Sequence, residues 1–139
     1  MSALIFYNAS GWKQIDLDWT VENKISSITK PLDKKSFFID EKELVASGEQ
    51  SFLQLMNDNK LKPGRYCGIT PCFRDDEEDY LHSKYFMKVE LIDTLKGLTN
   101  NQLSQIVAQV LNAYREKTSL LGYRIEPLID NYETRNILI

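Results

Sequence analysis

The sequence predicts an α+β fold in which a mainly antiparallel β-sheet is flanked by helices. Two runs of β-forming residues, RYCGITPCF and KYFMKVELI, stand on either side of a polar loop, which is typical of a long hairpin. A later segment carries apolar residues at helical spacing and predicts a helix that covers one face of a sheet. With 139 residues and 42% hydrophobic content, the chain has the size of one domain, which we place at residues 1–139.

Short elements are predicted for the first part of the chain. The run ALIFY, residues 3–7, predicts a short buried strand. The segment KQIDLDW, residues 13–19, alternates apolar and polar residues as a half-buried strand does. The segment TVENKISSITKP predicts a short helix followed by extended backbone at Lys30, because Pro31 disfavours a helical conformation in the residue before it.

A strand and a helix are predicted ahead of the hairpin. The segment SFFIDEKELVAS, residues 36–47, is rich in β-forming residues, and Gly48 separates it from the next element. The segment EQSFLQLMNDNKL, residues 49–61, has apolar residues at helical spacing from Phe52 to Leu61. The KPG sequence that follows Leu61 is typical of the end of a helix.

The second strand of the hairpin and the C-terminal segment have clear periodicity. One face of the strand is apolar, and the other face carries an aromatic ring and charges: Tyr85, Met87, Val89 and Leu91 alternate with Phe86, Lys88 and Glu90. The stretch from Thr99 to Gly122 predicts an amphipathic helix with these two residues as its N-cap and C-cap. The runs YRIEPLI and TRNILI predict two short strands at the end of the chain.

Composition and charge argue against several classes of function. The net charge of −3 gives no electrostatic attraction for nucleic acid, so tRNA is not an expected partner. The sequence has no apolar run long enough to span a membrane and no N-terminal leader, so we expect a cytoplasmic protein. Cys67 and Cys72 form no CxxC pair, and we interpret them as reduced thiols of the core.

The loop between the two long β-runs carries the candidate chemistry. The guanidinium of Arg74 is suited to a phosphate, the ring of Phe86 is suited to stacking on a base, and the carboxylate of Asp76 is suited to an exocyclic amine. Together these groups fit a nucleotide bound on a sheet surface. The same residues also fit a structural role, in which Arg74 pairs with the acids of a solvated loop and Phe86 belongs to the core. Residue types alone leave both interpretations open.

The spacing of these residues resembles a known family motif. The pattern Arg74-x-Asp76-x-x-Asp79-x-x-His82-x-x-x-Phe86-x-x-x-Glu90 is similar to motif 2 of the class II aminoacyl-tRNA synthetases, and most similar to its phenylalanyl version. Upstream, Pro31 stands where motif 1 places its proline. The segment VASGEQSFLQLM resembles the strand, turn and helix that carry an amino-acid-contacting glutamate in seryl- and prolyl-type enzymes, here Glu49.

The resemblance implies a role for four hairpin residues toward ATP. Arg74 would be the catalytic residue that holds the α-phosphate of ATP and the carbonyl of the activated amino acid. Asp76 would face the adenine amine, and Phe86 would stack on adenine. His82 would lie near the pyrophosphate. Mg²⁺ would enter bound to the ATP. The single histidine and the loop carboxylates predict no metal site of the protein itself.

Two further residues receive a role toward the amino acid. The resemblance places Glu49 and Glu90 in the amino-acid pocket, where an ammonium group needs a carboxylate. It also implies a homodimer, because motif 1 forms the dimer interface in that family. The amino-acid specificity does not carry over, since Met87 and Lys88 stand where phenylalanyl enzymes have His-Gln.

The sequence also departs from the family pattern. No glycine-rich segment ending in an arginine matches motif 3, which holds the γ-phosphate, and no anticodon-binding domain is present. A complete tRNA synthetase is therefore not expected. Two interpretations stay open: a truncated or degenerate synthetase-like domain that binds ATP, an adenylate or a related small molecule, with a partner chain supplying the lost elements, or a structural or protein-interaction module without a nucleotide. Whether the protein is an enzyme is left open.

Overall fold

A computed structural model describes residues 3–80, 82–95, 99–102, 104–106, 108–109, 112, 126–129 and 135–138. The chain divides into two compact units, Met1–Leu95 and Lys96–Ile139. Helices and mainly antiparallel sheets occur together, which confirms the predicted α+β class. Whether the two units make the single domain that the sequence predicts stays a prediction.

The first unit contains three helices and six strands. The helices are α1 Ala3–Ala9, α2 Asn23–Thr29 and α3 Gly48–Asn57. The strands are β1 Lys13–Gln14, β2 Thr20–Val21, β3 Phe38–Ile39, β4 Lys42–Leu44, β5 Arg65–Phe73 and β6 Tyr85–Asp93. One sheet has the order β1-β5-β6, with β1 parallel to β5, and a second, antiparallel sheet has the order β2-β4-β3.

The predicted hairpin is confirmed as the pair β5–β6. The strands pair antiparallel along their whole length, from Arg65 opposite Asp93 to Phe73 opposite Tyr85. Arg65 Nε and Asp93 Oδ2 form an ion pair at 2.8 Å where the hairpin begins. Since directly opposite residues of an antiparallel pair share a face, one face carries Gly68, Thr70, Cys72, Phe86, Lys88 and Glu90.

Helix α3 packs across this hairpin and contributes to two small cores, of which the first includes a residue of the hairpin. Phe52 of α3 lies with Leu17 and Tyr66 in the first core, and the second core contains Val21, Ile25 and Val45. Gly68 is required beneath the first core, because a Cβ there would lie 2.5 Å from Leu17 Cδ1. Burial of these apolar side chains is the main force that holds α3 on the sheet.

The predicted N-terminal strand is wrong. Residues 3–7 belong to α1, whose C-terminus is closed by hydrogen bonds from Ser10 N to Phe6 O and from Trp12 N to Tyr7 O. Gly11 has φ +93°, the left-handed conformation that typically ends a helix. A short apolar run without alternation fits a buried strand or a helix equally well, and here the helix-ending residues decide.

The predicted strand at residues 13–19 is limited to Lys13–Gln14. Residues 15–19 have no regular secondary structure, and Trp19 is 58% exposed.

The remaining predictions for the first unit are confirmed with shifted bounds. Helix α2 forms and Lys30 is extended, with ψ 130°. The segment 36–47 forms the β3–β4 hairpin, whose turn residue Asp40 has φ 53°. Helix α3 ends at Asn57 rather than at Leu61, because Asn59 adopts φ 55° and stops the helix.

The second unit contains a helix start and a strand pair. Thr99 Oγ1 accepts a hydrogen bond from Gln102 N at 3.2 Å, and Gln102 Oε1 accepts one from Thr99 N at 2.8 Å. This reciprocal capping box confirms Thr99 as the N-cap. Helical backbone follows at residues 100–102, 104–106, 108–109 and 112. The predicted C-cap Gly122 lies outside the described residues. Strands β7 Glu126–Ile129 and β8 Arg135–Leu138 pair antiparallel, as predicted.

Two further expectations concern the thiols and the membrane. Cys67 and Cys72 are both free and buried, which confirms them as core thiols. Within the part of the chain that the structure describes, every helix is too short or too polar to span a bilayer.

A buried carboxylate joins α2 to the second sheet. Glu43 of β4 is 2% exposed and accepts hydrogen bonds from Ser26, Asn23 and Lys30, while Lys30 also contacts Ser36. Burial by itself would raise the pKa of Glu43, but the hydrogen bonds outweigh this effect and lower the pKa to about 2. The ionised carboxylate therefore stabilises the folded state.

We expect Glu43→Gln to lower the free energy of unfolding by about 3 kcal/mol near pH 7, because Lys30 loses its buried partner. Because the folded pKa lies below the ordinary value of 4.5, the carboxylate stabilises the fold above pH 4.5 and loses this effect as the pH falls toward about 2. Urea denaturation near pH 7 and near pH 3 should therefore show a smaller difference between the variant and the wild type in acid. Glu41→Gln, at an exposed position of the same hairpin, is the control. An unchanged difference in acid would contradict this role.

Candidate functional site

The face of the hairpin that meets α3 carries three of the six candidate residues. We call it the polar face and define it by Ser47, Thr70, Cys72, Arg74, Phe86, Lys88 and Glu90. Sequence alternation suggested that the face with Tyr85 and Met87 is the apolar one, yet these two side chains are 55% and 50% exposed. The charged side of β6 is the one that is partly covered by the helix.

Arg74 and Phe86 lie against each other on the polar face. The guanidinium carbon of Arg74 is 5.1 Å from the centre of the Phe86 ring, a cation–π contact. Arg74 Nε donates a hydrogen bond of 3.1 Å to Ala46 O, which fixes the side chain beside the start of α3. The two Nη groups of Arg74 make no hydrogen bond to any of the described residues, so they are available to an anion.

Glu90 lies beneath the first turn of α3. Its Oε1 atom accepts hydrogen bonds from Ser47 Oγ at 2.6 Å and from Lys88 Nζ at 2.7 Å. A Cβ on Gly48 would lie 2.8 Å from Glu90 Cγ and 3.0 Å from Thr70 Oγ1, so only glycine allows this close approach. The N-cap Ser47 and the partial positive charge of the helix start both favour a carboxylate at this place.

The floor of the polar face contains an unsatisfied hydroxyl. Thr70 is fully buried, and its Oγ1 has no hydrogen-bond partner among the described residues. The neighbouring Cys72 thiol is only a weak hydrogen-bonding group. Burial raises the pKa of this thiol, and the positive charges of Lys88 and Arg74 oppose the rise. A buried hydroxyl without a partner costs about 1–3 kcal/mol.

Asp76 lies in a different place from Arg74 and Phe86. Lys34 Nζ is 2.9 Å from Asp76 Oδ1 and also donates a hydrogen bond to Asp75 O. The hydrogen bond from Lys34 lowers the pKa of Asp76 below its ordinary value. A polar groove of about 280 Å³ surrounds this ion pair, lined by Asp33, Lys34, Asp75, Asp76, Glu77 and Lys84.

The remaining candidate residues stay apart from the polar face. His82 Nδ1 contacts the carboxylate of Asp79 at 2.8 Å within the exposed loop. Glu49 is exposed in the first turn of α3, and its backbone N donates to Ser47 Oγ at 3.3 Å. The structure thus brings Arg74, Phe86 and Glu90 onto one face and places Asp76, His82 and Glu49 elsewhere. Their proposed roles remain predictions.

Three residues of the polar face received no role from the sequence. Lys88 was placed on this face by strand alternation, but its ion pair with Glu90 was not foreseen. Ser47 could have been found as a serine directly before a predicted helix. Thr70 gave no signal, because its burial depends on the helix that covers it. Among the described residues, no group of three or more His, Cys, Asp or Glu side chains is arranged to hold a metal ion.

The first unit is an α+β core in which helix α3 covers the polar face of a long antiparallel hairpin. The chain belongs to the family of tRNA synthetases class II core domain (F), whose family model matches residues 33–132. This confirms the resemblance seen in the sequence. No curated protein matches the chain.

Solved structures of class II enzymes share the fold. Pyrrolysyl tRNA synthetase PylSc of Desulfitobacterium hafniense has a TM-score of 0.67 at 18% identity, over 97% of this chain and 51% of that chain. Seryl-tRNA synthetase of Pyrococcus horikoshii, complexed with ATP, has a TM-score of 0.65 at 17% identity, over 91% and 32%. Cytoplasmic serine-tRNA ligase of Naegleria fowleri, in complex with AMP, has a TM-score of 0.63 at 18% identity, over 91% and 34%. The chain therefore spans between a third and a half of these enzymes.

We expect Gly48→Ala to destabilise the protein by about 1–3 kcal/mol, because the new methyl group would collide with Glu90 and Thr70. An alanine in place of a helical glycine ordinarily stabilises by about 1 kcal/mol, so the sign of the change is the test. Thermal unfolding measures it. Met56→Ala, at an exposed position of α3, is the control and should change stability by about 0.5 kcal/mol or less. A stabilised Gly48→Ala protein would show that α3 does not approach the sheet this closely.

Proposed function

We propose that the polar face binds an adenine nucleotide or an adenylate. The observation that carries this proposal is the pairing of Arg74 with Phe86, which puts a phosphate-binding group beside an aromatic ring. Arg74 is held through Nε and Ala46 O, so its Nη groups keep the fork geometry that binds two phosphate oxygens. Phe86 is only partly buried, so part of its ring is accessible to a base.

The other candidate residues complete this proposal. Asp76 would accept a hydrogen bond from the adenine amine after a movement that releases it from Lys34, and His82 would approach the pyrophosphate. The two seryl enzymes with this fold hold AMP and ATP, which supports a nucleotide as the ligand. Mg²⁺ would enter bound to ATP. Glu49 and Glu90 would line the part of the site that receives the acyl group.

The role of the chain is that of a ligand-binding synthetase-like domain rather than a complete tRNA synthetase. The matched region is a core domain, and the chain spans only part of the similar enzymes. Full catalysis would also need an arginine that holds the γ-phosphate, the role of motif 3 in the family. The net charge of −3 gives no support for binding tRNA.

A second candidate function is a protein-interaction module. Its partner could be a second copy of this chain, which would give a homodimer. The observation that favours it is the edge strand β3, where Phe38 and Ile39 are 56% and 55% exposed. Exposed apolar residues on an unpaired strand edge are suited to pairing with another chain. Sedimentation of the wild type beside Phe38→Lys tests this: a dimer that the variant abolishes supports the module, and two monomers contradict it.

We expect Mg·ATP and AMP to bind the wild type, and we expect Arg74→Ala and Phe86→Ala to weaken binding more than tenfold, about 1.4 kcal/mol each. Arg74→Ala removes the phosphate contact, and Phe86→Ala removes the stacking surface. Isothermal titration calorimetry measures both. Tyr85→Ala is the matched control, since this neighbouring aromatic residue points to the opposite face of β6. A folded wild type that binds neither nucleotide at millimolar concentration would contradict the proposal.

A further inference from the structure

The carboxylate of Glu90 already has a cationic partner within the chain. Lys88 Nζ and Glu90 Oε1 are 2.7 Å apart, and Ser47 Oγ contacts the same oxygen at 2.6 Å. Glu90 is only 17% exposed, so this ion pair is partly shielded from water and is not broken without cost. A ligand ammonium that approached Glu90 would have to displace Lys88 and would meet its positive charge.

Two cationic side chains offer hydrogen-bond donors beside this ion pair. The Nη groups of Arg74 make no hydrogen bond to any described residue. Lys88 is 42% exposed, so its ammonium reaches the open side of the face. Arg74 contacts the ring of Phe86, which neighbours Lys88 on the same face of β6. Two cations bind phosphate, carboxylate or carbonyl oxygens, and they repel an ammonium group.

From this geometry we propose that Lys88 serves as a built-in ammonium that neutralises Glu90, so that the polar face selects adenylates whose acyl group has no free amine. This inference rests on the proposed function and names the ligand class of the same site. An amine-free acyl adenylate would place its phosphate on Arg74 and its carbonyl oxygen toward Lys88. The α-ammonium of an aminoacyl adenylate would find Glu90 already paired with Lys88 and would meet the positive charge of Lys88.

Lys88 acts here as a specificity-determining residue. Its conservative replacement by arginine keeps the positive charge beside Glu90 and should keep the selection. Its replacement by methionine keeps the aliphatic part of the side chain, removes the charge and leaves Glu90 open to a ligand ammonium. The two variants therefore separate an effect of charge from an effect of packing.

The test is the binding of two stable adenylate analogues by calorimetry: 5′-O-(N-alanylsulfamoyl)adenosine, which carries the amine, and its propanoyl counterpart, which does not. We expect the wild type and Lys88→Arg to prefer the amine-free analogue at least tenfold. We expect Lys88→Met to lose or reverse this preference. Lys84→Met, in the loop of the same hairpin, is the control and should keep it.

Three outcomes distinguish the inference from the function on which it rests. If AMP binds but the wild type prefers the amine-bearing analogue, Lys88 does not exclude an ammonium and the inference is overturned. If the preference persists in a folded Lys88→Met protein, the selection does not come from Lys88, which also overturns it. If neither AMP nor either analogue binds the wild type, the proposed function fails and the inference fails with it.

Discussion

The antiparallel pairing of β5 with β6 is the constraint on which the rest of the first unit depends. The register from Arg65 and Asp93 to Phe73 and Tyr85 decides which side chains share a face. A shift by one residue would send Phe86, Lys88 and Glu90 to the opposite side of the sheet. Helix α3 lies close to this face, since a Cβ at position 48 would collide with Glu90 and Thr70.

Charge pairing then divides the hairpin into two regions. On the polar face, Lys88 neutralises Glu90 and leaves Arg74 as a cation with free donors. Beyond the strand ends, Lys34 neutralises Asp76 in the polar groove. The acidic composition of the loop therefore does not describe the polar face, where Arg74 and Lys88 supply two cations. This difference explains why an acidic chain can present a face suited to an anion.

The sequence was informative where a pattern is local and long. The nine-residue strands of the hairpin and the capping box of Thr99 and Gln102 follow from alternation and capping rules. Helix α1 was missed because five apolar or aromatic residues without alternation fit a strand as well. The end of α1 depends on the left-handed conformation of Gly11, and a glycine after an apolar run is a sequence signal for the end of a helix.

Only part of the candidate site could be predicted from the sequence, because some of its contacts join residues that are far apart in the chain. Arg74, Phe86 and Glu90 meet on one face because strand periodicity and hairpin register bring them there. The ion pair of Lys34 with Asp76 joins residues that lie 42 positions apart, and no local rule predicts such a contact. The unsatisfied hydroxyl of Thr70 likewise depends on the distant helix α3 that covers it.

A crystal structure of the protein with AMP bound tests the central claim most directly, because it shows where the base and the phosphate lie. The account predicts the adenine ring against Phe86, the phosphate on the Nη groups of Arg74, and the ion pair of Lys88 with Glu90 intact. AMP in the polar groove around Lys34 and Asp76, or density for AMP nowhere on the polar face of well-diffracting soaked crystals, would contradict it.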